Sequence, residues 1–130
     1  MSRKRIGQTI IPHGVIPEEH ELQSASVFTG LGKDVEFIAP RRTKDSTTPD
    51  IMIDGIQWEI KSPTGKSKTT VSNALRRAVK QSPNVIFDAR RTTITDIEVE
   101  KEIKRNLKLT QSLKRILLIT KSSKIIEITR

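Results

Sequence analysis

Thr48-Pro49-Asp50-Ile51-Met52-Ile53-Asp54-Gly55-Ile56-Gln57-Trp58-Glu59-Ile60-Lys61 is the stretch that decides the fold. Asp54-Gly55 stands between two runs in which apolar and polar residues alternate. An Asp-Gly pair flanked in this way predicts a β-hairpin, because a type I′ turn needs two residues that tolerate positive φ. A two-residue turn also fixes the register of the strands, so that Ile51 faces Trp58 and Asp50 faces Glu59.

This register divides the hairpin into an apolar face and a polar face, because side chains alternate along a strand with a period of two. The apolar face carries Ile51, Ile53, Ile56, Trp58 and Ile60, and the polar face carries Asp50, Met52, Gln57, Glu59 and Lys61. On the polar face two carboxylates oppose each other with Cβ atoms about 5 Å apart, and they repel. A bound cation, the Lys61 ammonium or a shared proton that raises one pKa would relieve this repulsion.

Composition restricts both the class of protein and its partners. The chain has 130 residues, which is typical of one folded domain. No run is apolar enough for a membrane span or a signal peptide, and without cysteine there is neither a disulfide nor a zinc-thiolate site. The net charge of +9 predicts a polyanionic partner, nucleic acid before membrane. With 3% aromatic residues, phosphate contacts should outweigh base stacking.

The remaining patterns predict an α+β fold, with an irregular basic N-terminal arm over residues 1–17 and a single nuclease-like domain over residues 18–130. A short strand is expected near residues 8–11 of the arm. The main elements are helices over 17–29, 70–81 and 96–109, the two hairpin strands, and strands over 35–38, 85–89, 114–120 and 125–129. Their order, α-β-β-β-α-β-α-β-β, predicts a central mixed, largely antiparallel sheet of about five to six strands with two to three helices. The helical crossover between Trp58 and Ala89 should make those two strands parallel in an otherwise antiparallel sheet.

Positive charge is concentrated after the hairpin, where eight basic residues between Lys61 and Arg91 stand against the single acid Asp88. A solvated helix face would account for some of them, but the lack of counter-acids favours contact with nucleic acid. Thr69 and Thr70 could either donate to a phosphate or cap the following helix. The predicted nucleic-acid contacts are Arg41, Arg42, Lys66, Lys68, Thr69, Thr70, Arg76, Arg77, Lys80, Arg90 and Arg91.

Pro49-Asp50 and Glu59-Ile60-Lys61, within this order of elements, resemble the PD-(D/E)XK nuclease superfamily. The resemblance implies that Asp50 and Glu59 bind a divalent metal such as Mg²⁺. It also implies that Lys61 acts on the attacking water or on the charge of the transition state. Under this interpretation the chain is a metal-dependent endonuclease.

A longer stretch, over residues 18–91, resembles the C-terminal tRNase toxin domains of contact-dependent growth inhibition systems and related bacterial polymorphic toxins. It comprises Pro49-Asp50-Ile51-Met52-Ile53-Asp54-Gly55, Trp58-Glu59-Ile60-Lys61-Ser62-Pro63, the hydroxyl-rich turn, the basic helix and Val85-Ile86-Phe87-Asp88-Ala89-Arg90-Arg91. This resemblance implies a toxin delivered into the cytoplasm of a target cell, with an acidic immunity protein as its partner. Some toxins of this class are metal-independent ribonucleases, so the resemblance leaves the metal requirement open.

Three functions are therefore considered. The leading hypothesis is a tRNA-cleaving ribonuclease with Asp50, Glu59 and Lys61 as catalytic residues. Without a metal, Glu59 would act as the base on an RNA 2′-hydroxyl, with a pKa raised by Asp50, while Lys61 or an arginine stabilises the phosphorane. The first alternative is a Mg²⁺-dependent DNA endonuclease, with the metal on Asp50 and Glu59. The second is a nucleic-acid-binding module without catalysis.

Overall fold

The computed structural model describes residues 5–40 and 48–130. Its elements are β1 (Thr9–Ile10), α1 (Glu19–Gly30), β2 (Val35–Phe37), β3 (Ile51–Ile53), β4 (Ile56–Lys61), α2 (Thr70–Ala78), β5 (Asn84–Asp88), α3 (Asp96–Leu109), β6 (Arg115–Ile119) and β7 (Ile125–Thr129). The α+β class and the predicted order are confirmed, with β1 placed before them. None of the helices in the described ranges combines the length and the apolar character needed to cross a membrane.

Strands β3 and β4 form the predicted hairpin. Ile51 pairs with Trp58, Met52 with Gln57 and Ile53 with Ile56, so the register derived from the sequence is confirmed along the ladder. Asp54 and Gly55 have φ values of 53° and 79°, as a type I′ turn requires. The local turn chemistry therefore sets the relative position of every residue in the hairpin.

Seven strands form one sheet in the order β1-β2-β3-β4-β5-β6-β7. The predicted parallel pairing of β4 with β5 is confirmed. The expectation that the remaining pairs are antiparallel is wrong for β1–β2 and β5–β6, which are parallel, whereas β2–β3, β3–β4 and β6–β7 are antiparallel. Helix α3 connects β5 to β6 as α2 connects β4 to β5, and a helical crossover brings the next strand back in the same direction. The sheet therefore contains as many parallel as antiparallel strand pairs, and with β1 it has seven strands instead of the predicted five to six.

The sheet has a hydrophobic core on each face. Helix α1 packs Ala25 and Phe28 against one face, together with inward residues of β2, β3 and β4 such as Trp58. Helices α2 and α3 cover the other face, where Leu75 and Ile103 pack against Phe87. Consecutive residues of β5 face opposite cores, which is why this strand is apolar throughout, as expected for a central parallel strand.

Two helix boundaries differ from the prediction. Helix α1 begins at Glu19, two residues after Pro17, and α2 ends at Ala78, three residues before the predicted end. The backbone N–H groups of Gln81 and Ser82 both donate to the Ala78 carbonyl, so the chain turns there towards β5. Helix α3 has the predicted bounds, and the Thr95 side chain accepts a hydrogen bond from the Glu98 N–H as its cap.

The described part of the predicted N-terminal arm joins the sheet. Thr9 and Ile10 pair with β2, and the Gly7 N–H donates to the Thr29 carbonyl at 2.8 Å. A Cβ atom at Gly7 would lie 1.8 Å from the Lys33 carbonyl oxygen, so only glycine allows this close approach. Strand β1 is thus held against the loop that precedes β2. The domain boundary at residue 17 stays a prediction.

Candidate active site

The three predicted catalytic residues lie together where β3 begins and β4 ends. Asp50 precedes β3, and its backbone N–H donates to the Trp58 carbonyl at 3.1 Å. Its Oδ2 atom accepts a hydrogen bond of 2.8 Å from the Ile60 N–H. The Lys61 Nζ lies 3.4 Å from Oε2 of Glu59. The hairpin register therefore brings two carboxylates and one ammonium group to a single site.

Glu59 is buried although it carries a carboxyl group, with 5% of its surface exposed. Its Oε1 atom is inaccessible and has no hydrogen-bond partner among the described residues. Burial raises the pKa of Glu59, whereas the hydrogen bond with Asp50 and then the charge of Lys61 lower it. The prediction that Asp50 raises the pKa of Glu59 is therefore wrong. A buried carboxylate oxygen without a partner is costly, and a bound ligand or water would satisfy it.

Asp50 has the most strongly shifted pKa in the site. Burial, and then the negative charge of Glu59, raise the pKa of Asp50 from 3.8 to about 6, although the hydrogen bond from Ile60 favours the ionised form. A carboxyl group with this pKa exchanges its proton close to neutral pH. Asp50 is therefore suited to general acid–base chemistry.

Glu21 of α1 is a third carboxyl group at this site, and the sequence analysis did not predict it. Glu21 and Asp50 both line a cavity of about 180 Å³. Burial raises the pKa of Glu21, and the adjacent Asp50 raises it further. The sequence did contain a signal, because Glu21 lies four and seven residues before the buried Ala25 and Phe28. An acid at that spacing belongs to the packed face of the helix.

Residues 47–125 match the model of a family described as the contact-dependent growth inhibition CdiA C-terminal domain. The chain belongs to this family. The matched range includes Asp50, Glu59 and Lys61, whereas Glu21 lies before it.

Among solved structures, the fold of this CdiA C-terminal domain is similar to a chain of the CdiA-CT/CdiI toxin and immunity complex from Burkholderia pseudomallei, with a TM-score of 0.73 and 19% sequence identity. The alignment covers 95% of this chain and 100% of the other. At this identity the similarity establishes a common fold. No curated protein matches the sequence.

A second cluster of the CdiA C-terminal domain joins α1 to the ends of β5 and β6. Asp88 is 2% exposed, and Arg90 Nη2 donates to its Oδ2 at 2.7 Å. The Ser24 hydroxyl donates to the same oxygen at 2.7 Å, and Arg90 also donates to the Gln23 carbonyl. Burial alone would raise the pKa of Asp88, but the hydrogen bonds from Arg90 and Ser24 hold it below its ordinary value. Because its guanidinium N–H groups already donate to Asp88 and to the Gln23 carbonyl, Arg90 has few donors left for the predicted contact with nucleic acid.

The loop over residues 62–69, which follows Lys61, is held by the segment after β5. Arg91 donates to the Ser62 carbonyl at 3.1 Å, and the Thr92 hydroxyl donates to the Gly65 carbonyl at 2.5 Å. Thr70 Oγ1 accepts from the Ser67 N–H, so it closes the turn before α2. The predicted capping of α2 is wrong, because Thr69 is the N-cap residue and its side chain makes no capping hydrogen bond. Arg91 and Thr70 therefore have structural contacts in this domain.

The other predicted nucleic-acid contacts for which the structure gives a position form fewer side-chain hydrogen bonds than Arg90 and Thr70. Arg41 and Arg42 lie outside the described residues. The Thr69 hydroxyl is 3.2 Å from that of Ser67. Among these other predicted contacts, the exposed basic residues are Lys66, Lys68, Arg76, Arg77 and Lys80. Contact of any of these residues with nucleic acid stays a prediction.

Asp50 and Glu59 are the residues that could hold a divalent cation. Carboxylate oxygens are the ligands that Mg²⁺ prefers, and the unpartnered Oε1 of Glu59 could serve as one. Across residues 5–40 and 48–130, no group of three or more His, Cys, Asp or Glu side chains is arranged to hold a metal ion. Two protein ligands and several waters would form the coordination shell, as is common for Mg²⁺.

Proposed function

We propose that this CdiA C-terminal domain is a ribonuclease toxin that cleaves tRNA, with Asp50, Glu59 and Lys61 as its catalytic residues. The observation that carries the proposal is the buried Glu59 carboxyl, with one oxygen unpartnered, between a carboxyl whose pKa is about 6 and an ammonium group. Perturbed titratable groups gathered at one site are characteristic of acid–base catalysis. The net charge of +9 suits a polyanionic substrate.

The three residues have complementary roles in this reaction. Glu59 takes the proton of an RNA 2′-hydroxyl, and the 2′-oxygen attacks the adjacent phosphorus. The bond to the 5′-oxygen breaks, and protonated Asp50 supplies the proton to that leaving oxygen. Lys61 stabilises the negative charge that develops on the phosphorane oxygens. The products are a 2′,3′-cyclic phosphate and a free 5′-hydroxyl.

The proposed partners follow from charge. The exposed lysines and arginines of the loop after β4 and of α2 grip the phosphate backbone. An immunity protein with an acidic surface neutralises the toxin in the cell that makes it, and the basic charge favours rapid association. This partner is proposed because the similar solved structure is a toxin and immunity complex. The substrate is reached in the cytoplasm of the target cell.

A Mg²⁺-dependent endonuclease acting on DNA is the second candidate. The observation that favours it is Glu21, which places a third carboxyl group beside Asp50. A divalent cation on Asp50 and Glu59 would relieve the repulsion within this cluster and would supply Lewis-acid activation of the phosphate. Lys61 would then orient the attacking water.

Total tRNA and duplex plasmid, each incubated with the purified chain with and without EDTA, separate these functions. The proposal expects tRNA cleavage that persists in EDTA and an uncut plasmid. Plasmid cleavage that EDTA abolishes would favour the second candidate. A wild-type chain that binds tRNA but cleaves no RNA or DNA would leave only a nucleic-acid-binding module and would refute both enzyme functions.

Single-residue variants test whether this site carries out the proposed tRNA cleavage. Glu59→Gln and Lys61→Ala should abolish tRNA cleavage while the circular dichroism spectrum remains that of the folded chain. Asp54→Asn is the matched control, because Asp54 is an exposed carboxyl group of the same hairpin and lies in the turn away from the site. Its activity should equal that of the wild type. Full activity of Glu59→Gln would show that the catalytic residues lie elsewhere.

A further inference from the structure

A cavity of about 500 Å³ lies between the loop after β4 and the first turns of α3. This volume is within the range of sites that bind small molecules or single nucleotides. Ile94 provides apolar surface, whereas Val71 lies beneath it with 1% of its surface exposed, and hydroxyl and charged side chains provide the rest. The charged residues that line it are Lys66, Lys68, Glu98, Glu102 and Arg105.

The cavity lies at the same edge of the sheet as the candidate active site. Helices α2 and α3 begin where the parallel strands β4 and β5 end, and Lys61 is the last residue of β4. The loop that starts after Lys61 forms one wall of the cavity, and Thr92 fixes that loop through the Gly65 carbonyl. A polynucleotide held at Lys61 can therefore extend into the cavity along a fixed loop.

Charge is distributed unevenly around this cavity. Lys66 and Lys68 are exposed and form no ion pair with any described residue. On the opposite wall, Glu102 pairs with Arg105 at 3.1 Å, while the Glu98 carboxylate has no partner in the described part of the chain. Carboxylates repel phosphate, so a nucleotide must place its phosphate towards the lysines. The group that meets Glu98 must then be a hydrogen-bond donor.

We infer that this cavity binds a guanine base of the substrate, with the adjoining phosphate at Lys66 and Lys68 and the Watson–Crick edge of the base at Glu98. This inference rests on the proposed function, since it assigns a specificity site to the same RNA substrate. Guanine carries two adjacent N–H donors on that edge, and the two oxygens of one carboxylate accept both. Adenine, cytosine and uracil each place an acceptor next to their donor, which a carboxylate repels. The base plane packs on Ile94, as unstacked RNA bases do on apolar surfaces.

Nucleotide binding tests the inference without any cleavage. 5′-GMP, 5′-AMP, 5′-CMP and 5′-UMP are titrated separately into the full chain, and affinity is measured from amide chemical shifts. We expect GMP to bind about tenfold more tightly than the others, and Glu98→Gln to remove that preference. Lys68→Ala should weaken the binding of all four nucleotides by a similar factor. Glu100→Gln, the same change on a residue of α3 that does not line the cavity, should bind GMP as the wild type does.

The outcomes distinguish this inference from the proposed function. Equal affinity for the four nucleotides, no binding of any of them, or unchanged GMP preference in Glu98→Gln would each overturn the guanine site, even if tRNA is cleaved. Selective GMP binding by a chain that cleaves no RNA would support the guanine site in this cavity and would refute the proposed ribonuclease function. If the guanine site and the ribonuclease activity both hold, Glu98→Gln should lose the preference for guanine near the cut, whereas Glu59→Gln should bind GMP normally and cleave nothing.

Discussion

Replacement of Asp50 by asparagine should stabilise the folded chain above about pH 6 and abolish cleavage. Burial and the charge of Glu59 raise the pKa of Asp50 from 3.8 to about 6 in the folded state. At about 1.4 kcal/mol for each pKa unit, ionising this carboxyl group costs the folded state about 3 kcal/mol. Asparagine avoids the cost, and its side-chain carbonyl can still accept the hydrogen bond from the Ile60 N–H.

The sign of the effect depends on pH. Because the folded pKa is raised, the wild type holds this proton in both states below about pH 4, and there the variant gains nothing. Wild-type stability from this group is lost between about pH 4 and about pH 6, so the advantage of Asp50→Asn should grow over that range to about 3 kcal/mol and stay constant at higher pH. Urea unfolding at a series of pH values measures it.

Asp54→Asn is the control for this measurement, because Asp54 is 62% exposed and asparagine tolerates the positive φ of the turn. Its free energy of unfolding should follow that of the wild type at every pH. If Asp50→Asn were equally stabilising at about pH 4 and about pH 8, the gain would not come from ionisation, and the raised pKa would be refuted. No gain at the higher pH would refute it as well.

Three further predictions concern stability and binding. Asp88→Asn should lower the free energy of unfolding by about 3 kcal/mol, measured in urea, because it leaves the Arg90 guanidinium without its buried carboxylate; an unchanged midpoint would contradict this structural role. Gly7→Ala should accelerate amide hydrogen exchange in β2, because the new methyl group would overlap the Lys33 carbonyl, whereas Gly30→Ala has open space and should leave exchange unchanged. The affinity for tRNA should fall about tenfold or more between about 50 mM and about 200 mM salt, and a salt-independent affinity would exclude phosphate contacts as its source.

The hairpin and its site were predictable because their determinants are local. A turn that requires positive φ and an alternation with a period of two fix the register of Ile51–Ile53 on Ile56–Trp58. Asp50 lies just beyond this ladder, where it comes close to Glu59 and Lys61 at the open end of the hairpin. Helix α3 was predicted with its bounds for the same reason, since its cap and its apolar spacing lie within one segment.

Features that depend on the direction of packing were not predicted. The sequence pattern shows that α3 is amphipathic. It does not show that β6, the strand after this helix, runs parallel to β5. Likewise, Glu21 lies beside Asp50 only because α1 packs on the face of the sheet that includes β3 and β4. Asp88, which pairs with Arg90, also accepts a hydrogen bond from Ser24, which is 64 residues away in the chain. Contacts of this range are set by the tertiary structure.

The hydrogen bond from the Ile60 N–H to Asp50 also gives the site a built-in spectroscopic probe. The donor is a backbone amide of β4, whereas the acceptor is the carboxyl group whose proton is exchanged in the proposed reaction. In a ¹⁵N-labelled chain, the ¹⁵N–¹H resonance of Ile60 should therefore shift as Asp50 titrates, without any substitution. Followed during the addition of nucleotide, metal or partner protein, this one resonance would report how each of them changes the ionisation of the site.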